Sequence, residues 1–69
     1  MQILFMQTRI ARVASERWHM SIAETARILK EHHVFKHIED CFALYHLEGD
    51  EAIWEDLQVY LESEGVVNA

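Results

Sequence analysis

A chain of 69 residues lies near the lower limit for unaided folding, where roughly 60% of the unfolded surface is buried, so it supports one domain spanning residues 1–69. With 51% hydrophobic and 26% charged residues it is too apolar to be disordered, and its single cysteine, Cys41, excludes an internal disulfide and fits a reducing compartment. The net charge of −6 is uneven: residues 1–34 carry five basic against three acidic residues, and residues 35–69 carry Lys36 against nine acids, which argues against docking on duplex DNA.

The chain has no proline and only two glycines. The expected fold class is therefore all-α, a compact bundle of about four short helices. The first helix is expected over 3–19. At about 100° per residue, Ile3, Met6, Ile10, Val13 and Ala14 share one arc, widened by Leu4, Ala11 and Trp18. Phe5 points away from that arc, among Arg9, Arg12 and Glu16. An aromatic among arginines has the composition of an interface anchor; the competing reading is an N-terminal turn that curls Phe5 onto its own domain. Arg17 falls inside the arc and should either find a carboxylate, with Asp56 the candidate, or pack its stem and free its head. The opening "MQILFMQTR" lacks the charged leader, long apolar run and cleavage site of a signal peptide. No stretch approaches the ~18 apolar residues of a membrane span, so a soluble cytoplasmic protein is expected.

Ser21 and Glu24 have capping-box spacing ahead of a second helix over 22–32, with Ile22, Ala26 and Leu29 on one face. Lys30, His32 and His33 close it, where positive charge is favoured by about 0.3–1 kcal/mol each. A third helix over 35–47 aligns Val34, Ile38, Cys41, Phe42 and Tyr45, with His37 and His46 at opposite edges of the apolar arc. Gly49 reads as its stop and Asp50 as the N-cap of a fourth helix over 51–63. That helix groups Ile53, Trp54, Leu57, Tyr60 and Leu61 and turns Ala52 and Val59 outward. Its acids Glu51, Glu55 and Glu62 form a stripe, either a solvated face or a surface that meets a basic partner. Gly65 occupies the position of a left-handed C-terminal cap.

The stretch "KEHHVFKHIEDC" gathers three of the five histidines and the cysteine. His33, His37 and Cys41 are spaced i, i+4, i+8, and Asp40 or His46 would complete the four ligands of a structural zinc site. Against that stand Cys41's place in the apolar arc, the turn expected after His33, and the lack of a C-x-x-C or H-E-x-x-H pair. A buried thiol is also a poor nucleophile. No catalytic residue, metal or cofactor is assigned. "SIAETARILKEHHVFKHIEDCF" can be read as helix-turn-helix, but its second helix would offer a major groove Lys36 beside Glu39 and Asp40.

The segments "ILFMQTRIARVASERW", "VFKHIEDCFALYHLEGDEAIWEDLQVYL" and "EGV" together resemble a small bacterial family of stand-alone helical domains with no established activity. The similarity runs over nearly the whole chain and centres on "YHLEGDEAIWED", with Tyr45, His46, Gly49, Asp56 and Leu57 at recurring positions. Members of that family are often encoded beside proteins with a predicted ADP-ribosyltransferase-like fold. The resemblance thus implies an antitoxin-like or regulatory pairing, in which Tyr45, His46 and the Gly49–Asp50 turn would be contact candidates. The expectation is a non-enzymatic helical module that binds a protein partner or itself, with Phe5, Arg9, Arg12, Tyr45, His46, Glu51, Glu55 and Glu62 as candidate contacts. The alternatives are a small helix-turn-helix DNA-binding regulator and a metal-binding domain on His33, His37 and Cys41.

Overall fold

Ser21 adopts extended backbone and its Oγ accepts the Glu24 N–H at 3.1 Å, fixing the start of the second helix. The Glu24 carboxylate turns outward to Arg27 at 2.8 Å, so only the serine arm of the capping box is formed. The computed structural model describes residues 2–66. Among them are five helices and no strand: α1 (Gln2–Trp18), α2 (Ile22–Glu31), α3 (Val34–Asp40), α4 (Phe42–Tyr45) and α5 (Asp50–Ser63). The all-helical bundle of the sequence reading is the observed fold, with four substantial helices and one single turn.

That single turn is a departure. The helix expected over 35–47 breaks at Cys41, whose backbone moves to φ −103°, ψ 12°. Cys41 N–H still reaches the His37 carbonyl at 3.0 Å, and its own carbonyl accepts from Leu44 and Tyr45 at 3.0 and 2.8 Å. No glycine or proline marks the break. It re-aims α4 so that Tyr45 is buried to 1% exposure and donates to Asp56 of α5. A second departure lies at the next boundary. Gly49 itself is the N-cap, extended at φ −81°, and Asp50 is the first helical residue. The Asp50 carboxylate is drawn away to Arg9 of α1 at 2.7 Å, so it does not cap.

The core is a single cluster contributed by all five helices: Met6, Ile10, Ala11 and Ala14 from α1, Leu29 from α2, Val34 and Ile38 from α3, Tyr45 from α4, and Ile53, Trp54, Leu57 and Leu61 from α5. Trp18 closes one end by packing edge-on against Trp54, with ring centroids 5.6 Å apart. Thr25, absent from the expected α2 face, is wholly buried. Ile22 and Leu4, which the periodicity placed inward, are 52% and 64% exposed. The reason is supply of cover: a chain this short lacks the elements to enclose both flanks of a 17-residue helix.

Three helix ends are turned by left-handed residues. After α5, Gly65 at φ +88° brings the Val66 N–H onto the Leu61 carbonyl at 2.9 Å and its own N–H onto Glu62 at 3.0 Å. This is the paired bonding of a Schellman cap, completed by Val66 packing on the core. His19 at φ 53° repeats the pattern after α1, with Met20 N–H on the Ser15 carbonyl at 3.1 Å. His33 at φ 60° forms the joint between α2 and α3. Two of the five histidines thus hold strained backbone at turns, a conformation in which histidine is several-fold enriched over most residues.

Candidate interaction surface

The N-terminal half of α1 lies between two depressions, and the adjacent residues Leu4 and Phe5 line one each. On the first side, Gln2, Phe5, Met6 and Arg9 face Phe42, His46 and Glu48 across a cleft of about 260 Å³. Phe5 is 68% exposed at its edge. The opposite wall is set by α4, where His46 stacks on Phe42 at 5.5 Å and its Nδ1 lies 3.2 Å from the Phe42 carbonyl. Arg9 is held by Asp50, which ties α1 to the start of α5. Tyr45 is in the core, and its hydroxyl donates to the Asp56 carboxylate. Burial, and then the bond to a negatively charged acceptor, push the Tyr45 hydroxyl well above the usual tyrosine range.

On the second side, α1, α2 and the start of α3 enclose a groove of about 420 Å³. Leu4, Thr8, Ala11 and Arg12 form one wall, Ile22 and Ala26 the other, and Phe35 lies at the α3 end. Gln7 fixes that end by donating its Nε2 hydrogen to the Phe35 carbonyl at 2.9 Å. Arg12 is the one charged residue in the lining.

Of the candidate contacts, Phe5, Arg9 and His46 therefore meet in one cleft, and Arg12 faces the other depression. Tyr45 is in the core, so its ring supports the structure from inside and presents no face to a partner. Glu51 pairs with Arg17 at 2.5 Å. This replaces the expected Arg17–Asp56 contact: Asp56 is engaged by Tyr45, and Glu51 stands at the α5 end that approaches α1. Glu55 and Glu62 are exposed on α5. The period of the groove walls Leu4 and Ile22 points them to the core, and no local signal distinguishes an apolar residue that is covered from one that is not.

The histidine and cysteine stripe does not assemble. His37 stacks on Tyr60 with centroids 4.3 Å apart, and its Nε2 lies 3.8 Å from Cys41 Sγ. Tyr60 in turn donates its hydroxyl to the His32 carbonyl at 2.9 Å. His33 sits in the exposed joint. Among the described residues no three His, Cys, Asp or Glu side chains gather as a metal-binding group. On α3, the cation a helix-turn-helix reading would present, Lys36, is engaged by Asp40 at 3.0 Å and Glu39 at 3.9 Å. Among the described residues no helix is long and apolar enough to cross a membrane.

The fold and this surface define the class: a small all-helical domain with large apolar side chains exposed on α1 (Leu4, Phe5), at the start of α2 (Ile22), in and after α4 (Leu44, Leu47) and on α5 (Val59). Within that class the chain belongs to the family described as "Protein of unknown function (DUF3791)", whose model matches residues 5–64. The match begins at Phe5 and takes in all of α2 to α5. No curated protein and no solved structure matches the chain.

Proposed function

We propose that this protein is a non-enzymatic interaction module that recognises a protein partner through the N-terminal half of α1. The observation that carries the reading is Phe5, which stands 68% exposed beside Arg9 and opposite the stacked Phe42 and His46. Burying a phenylalanine recovers roughly 1.5–3 kcal/mol. An aromatic beside an arginine, over a partly formed cleft, is the composition of a binding hot spot. The partner's anchor enters between Phe5 and His46, and Arg9, held by Asp50, orders the edge before binding.

The sharper form is antitoxin-like: the module regulates an ADP-ribosyltransferase-like protein encoded beside it, in the cytoplasm. The net charge of −6 and the outward Glu55 and Glu62 support it, because they offer an acidic face to a basic enzyme that handles nucleotides. The test is to co-express this chain with the product of its neighbouring gene and to assay that product for ADP-ribosyl transfer. Co-purification and suppressed transferase activity are expected, with both lost in Phe5→Glu. A Phe5→Glu variant that folds and still co-purifies would remove the Phe5 cleft from the interface. A wild-type chain that sediments alone as a homodimer would replace the foreign partner with a second copy.

A further inference from the structure

We infer that the groove between α1, α2 and α3 is a docking site for an acidic amphipathic helix of a partner protein. The inference rests on the reading of this chain as an interaction module but concerns the face opposite the Phe5 cleft, so the two fail separately.

The first observation is chemical. The groove is walled by Leu4, Ala11, Ile22, Ala26 and Phe35, and its charged group is the guanidinium of Arg12. The other arginines are each engaged by a carboxylate: Arg9 by Asp50 at 2.7 Å, Arg17 by Glu51 at 2.5 Å, Arg27 by Glu24 at 2.8 Å and Glu31 at 3.2 Å. Arg12 has no carboxylate partner among the described residues, in a chain with twelve acids. An occupant that covers the groove crowds that guanidinium. A lysine opposite it repels, a neutral side chain strips it of water without return, and a carboxylate meets it with paired, charge-assisted hydrogen bonds.

The second observation is geometric. From Leu4 to Arg12 the α1 wall runs eight residues, or about 12 Å at ~1.5 Å per residue, the length of a little over two helical turns. An extended peptide that docks by adding a strand needs a strand edge, which the described residues lack, and a polyproline-type ligand needs an aromatic-lined groove, whereas Phe35 is the single aromatic of this lining. A helix carries its backbone hydrogen bonds with it. It needs only an apolar stripe at i, i+3 or i+4, and i+7 to seat between Leu4 and Ile22. The exposure of those two side chains, 64% and 52%, is the apolar surface that such a helix covers.

The probe is a panel of helix-stabilised peptides about three turns long, with that apolar stripe and either glutamate or lysine at the position reaching Arg12. They are titrated into the isotopically labelled full chain. Amide and methyl shifts should concentrate at Leu4, Ile22 and Phe35. The glutamate peptides should bind about tenfold more tightly than their lysine counterparts, which is ~1.4 kcal/mol. Arg12→Glu, an exposed position, should invert that order and leave the fold intact, and Phe5→Glu should leave it unchanged. Equal affinity for the two series, shifts centred on Phe42 and His46, or no groove shifts at millimolar peptide would each overturn the inference. So would a homodimer that already covers Leu4 and Ile22.

Discussion

Replacing Tyr45 by phenylalanine isolates the bond that joins the two ends of the Gly49 turn. The ring keeps its buried volume and only the hydroxyl donated to Asp56 is lost. A hydrogen bond to a charged acceptor contributes about 1.5–3 kcal/mol net. Asp56 is exposed, so water replaces the lost donor and the cost falls at the lower end, ~1.5 kcal/mol. For a domain of this size each kcal/mol moves Tm by about 4–8 °C, which predicts a drop of roughly 6–12 °C. The urea slope should be unchanged, since the surface exposed on unfolding is the same. Pairing the variant with Asp56→Ala in a double-mutant cycle should give a coupling of about 1 kcal/mol or more. Additive effects of the two changes would refute the argument that this bond holds α4 on α5.

The same hydroxyl gives a pH signature of fixed sign. Its proton is held more tightly in the folded chain than in the unfolded one, first because of burial and then because of Asp56. Its contribution is therefore complete below the unfolded tyrosine pKa of about 10 and declines above it, by ~1.4 kcal/mol per pH unit, as the unfolded chain ionises. Tyr60 is shifted in the same direction by burial and Glu64, but it is present in both proteins and cancels in the comparison. The gap between wild type and Tyr45→Phe should close above pH ~10 and cross about one unit higher. A gap that stays constant through that range would show that the hydroxyl is free to ionise in place.

Two further substitutions test local readings. Thr25 is wholly buried and its Oγ has no hydrogen-bond partner among the described residues, so Thr25→Val should raise urea stability by about 1 kcal/mol; a loss would mean that the hydroxyl is bonded in solution. Gly65 is at φ +88° with open space around it, so Gly65→Ala meets only backbone strain and should cost about 1 kcal/mol. Gly49→Ala, at an ordinary φ and equally unobstructed, carries no such strain and should cost less, about 0.5 kcal/mol, from the preference of the α5 N-cap for glycine over alanine.

Much of the architecture was legible because helices with strong period and polar punctuation report themselves. Ser21 with Glu24 located the start of α2, Gly65 the end of α5, and the α5 stripe of Ile53, Trp54, Leu57 and Leu61 is the buried face. What was not legible depends on contacts between elements. The break at Cys41 has no local breaker and arises where Tyr45 must reach Asp56. The left-handed joints at His19 and His33 fall on residues without glycine's signature. Periodicity alone also cannot say that α1 runs out of neighbours before it runs out of apolar residues, so it places Leu4 and Ile22 inward where the structure leaves them as groove walls. Tyr45, Gly49, Asp56 and Leu57, four of the recurring positions in the family resemblance, have structural work here: a buried bond, a helix start and a core contact.

The charge asymmetry along the chain has a similar resolution. A basic first half and an acidic second half, if solvated, would set up a field that steers an encounter, yet part of that charge is spent within the fold. Arg9 and Arg17 reach Asp50 and Glu51, so the acids that open α5 neutralise two arginines of α1. All four side chains remain 41–72% exposed, so each pair contributes no more than about 1 kcal/mol. Their larger consequence is rotational. At ~100° per residue, Arg12 stands about 60° from Arg9 on one side and Arg17 roughly 80° on the other, some 140° apart. The two arginines that meet α5 therefore turn the third toward α2, where no carboxylate among the described residues answers it. The outward surface includes an acidic α5 face at Glu55 and Glu62, and an apolar α1 flank with one unmatched guanidinium. A basic partner and an acidic helix would thus be sorted to different faces of the same small domain by the ion pairs that hold it together.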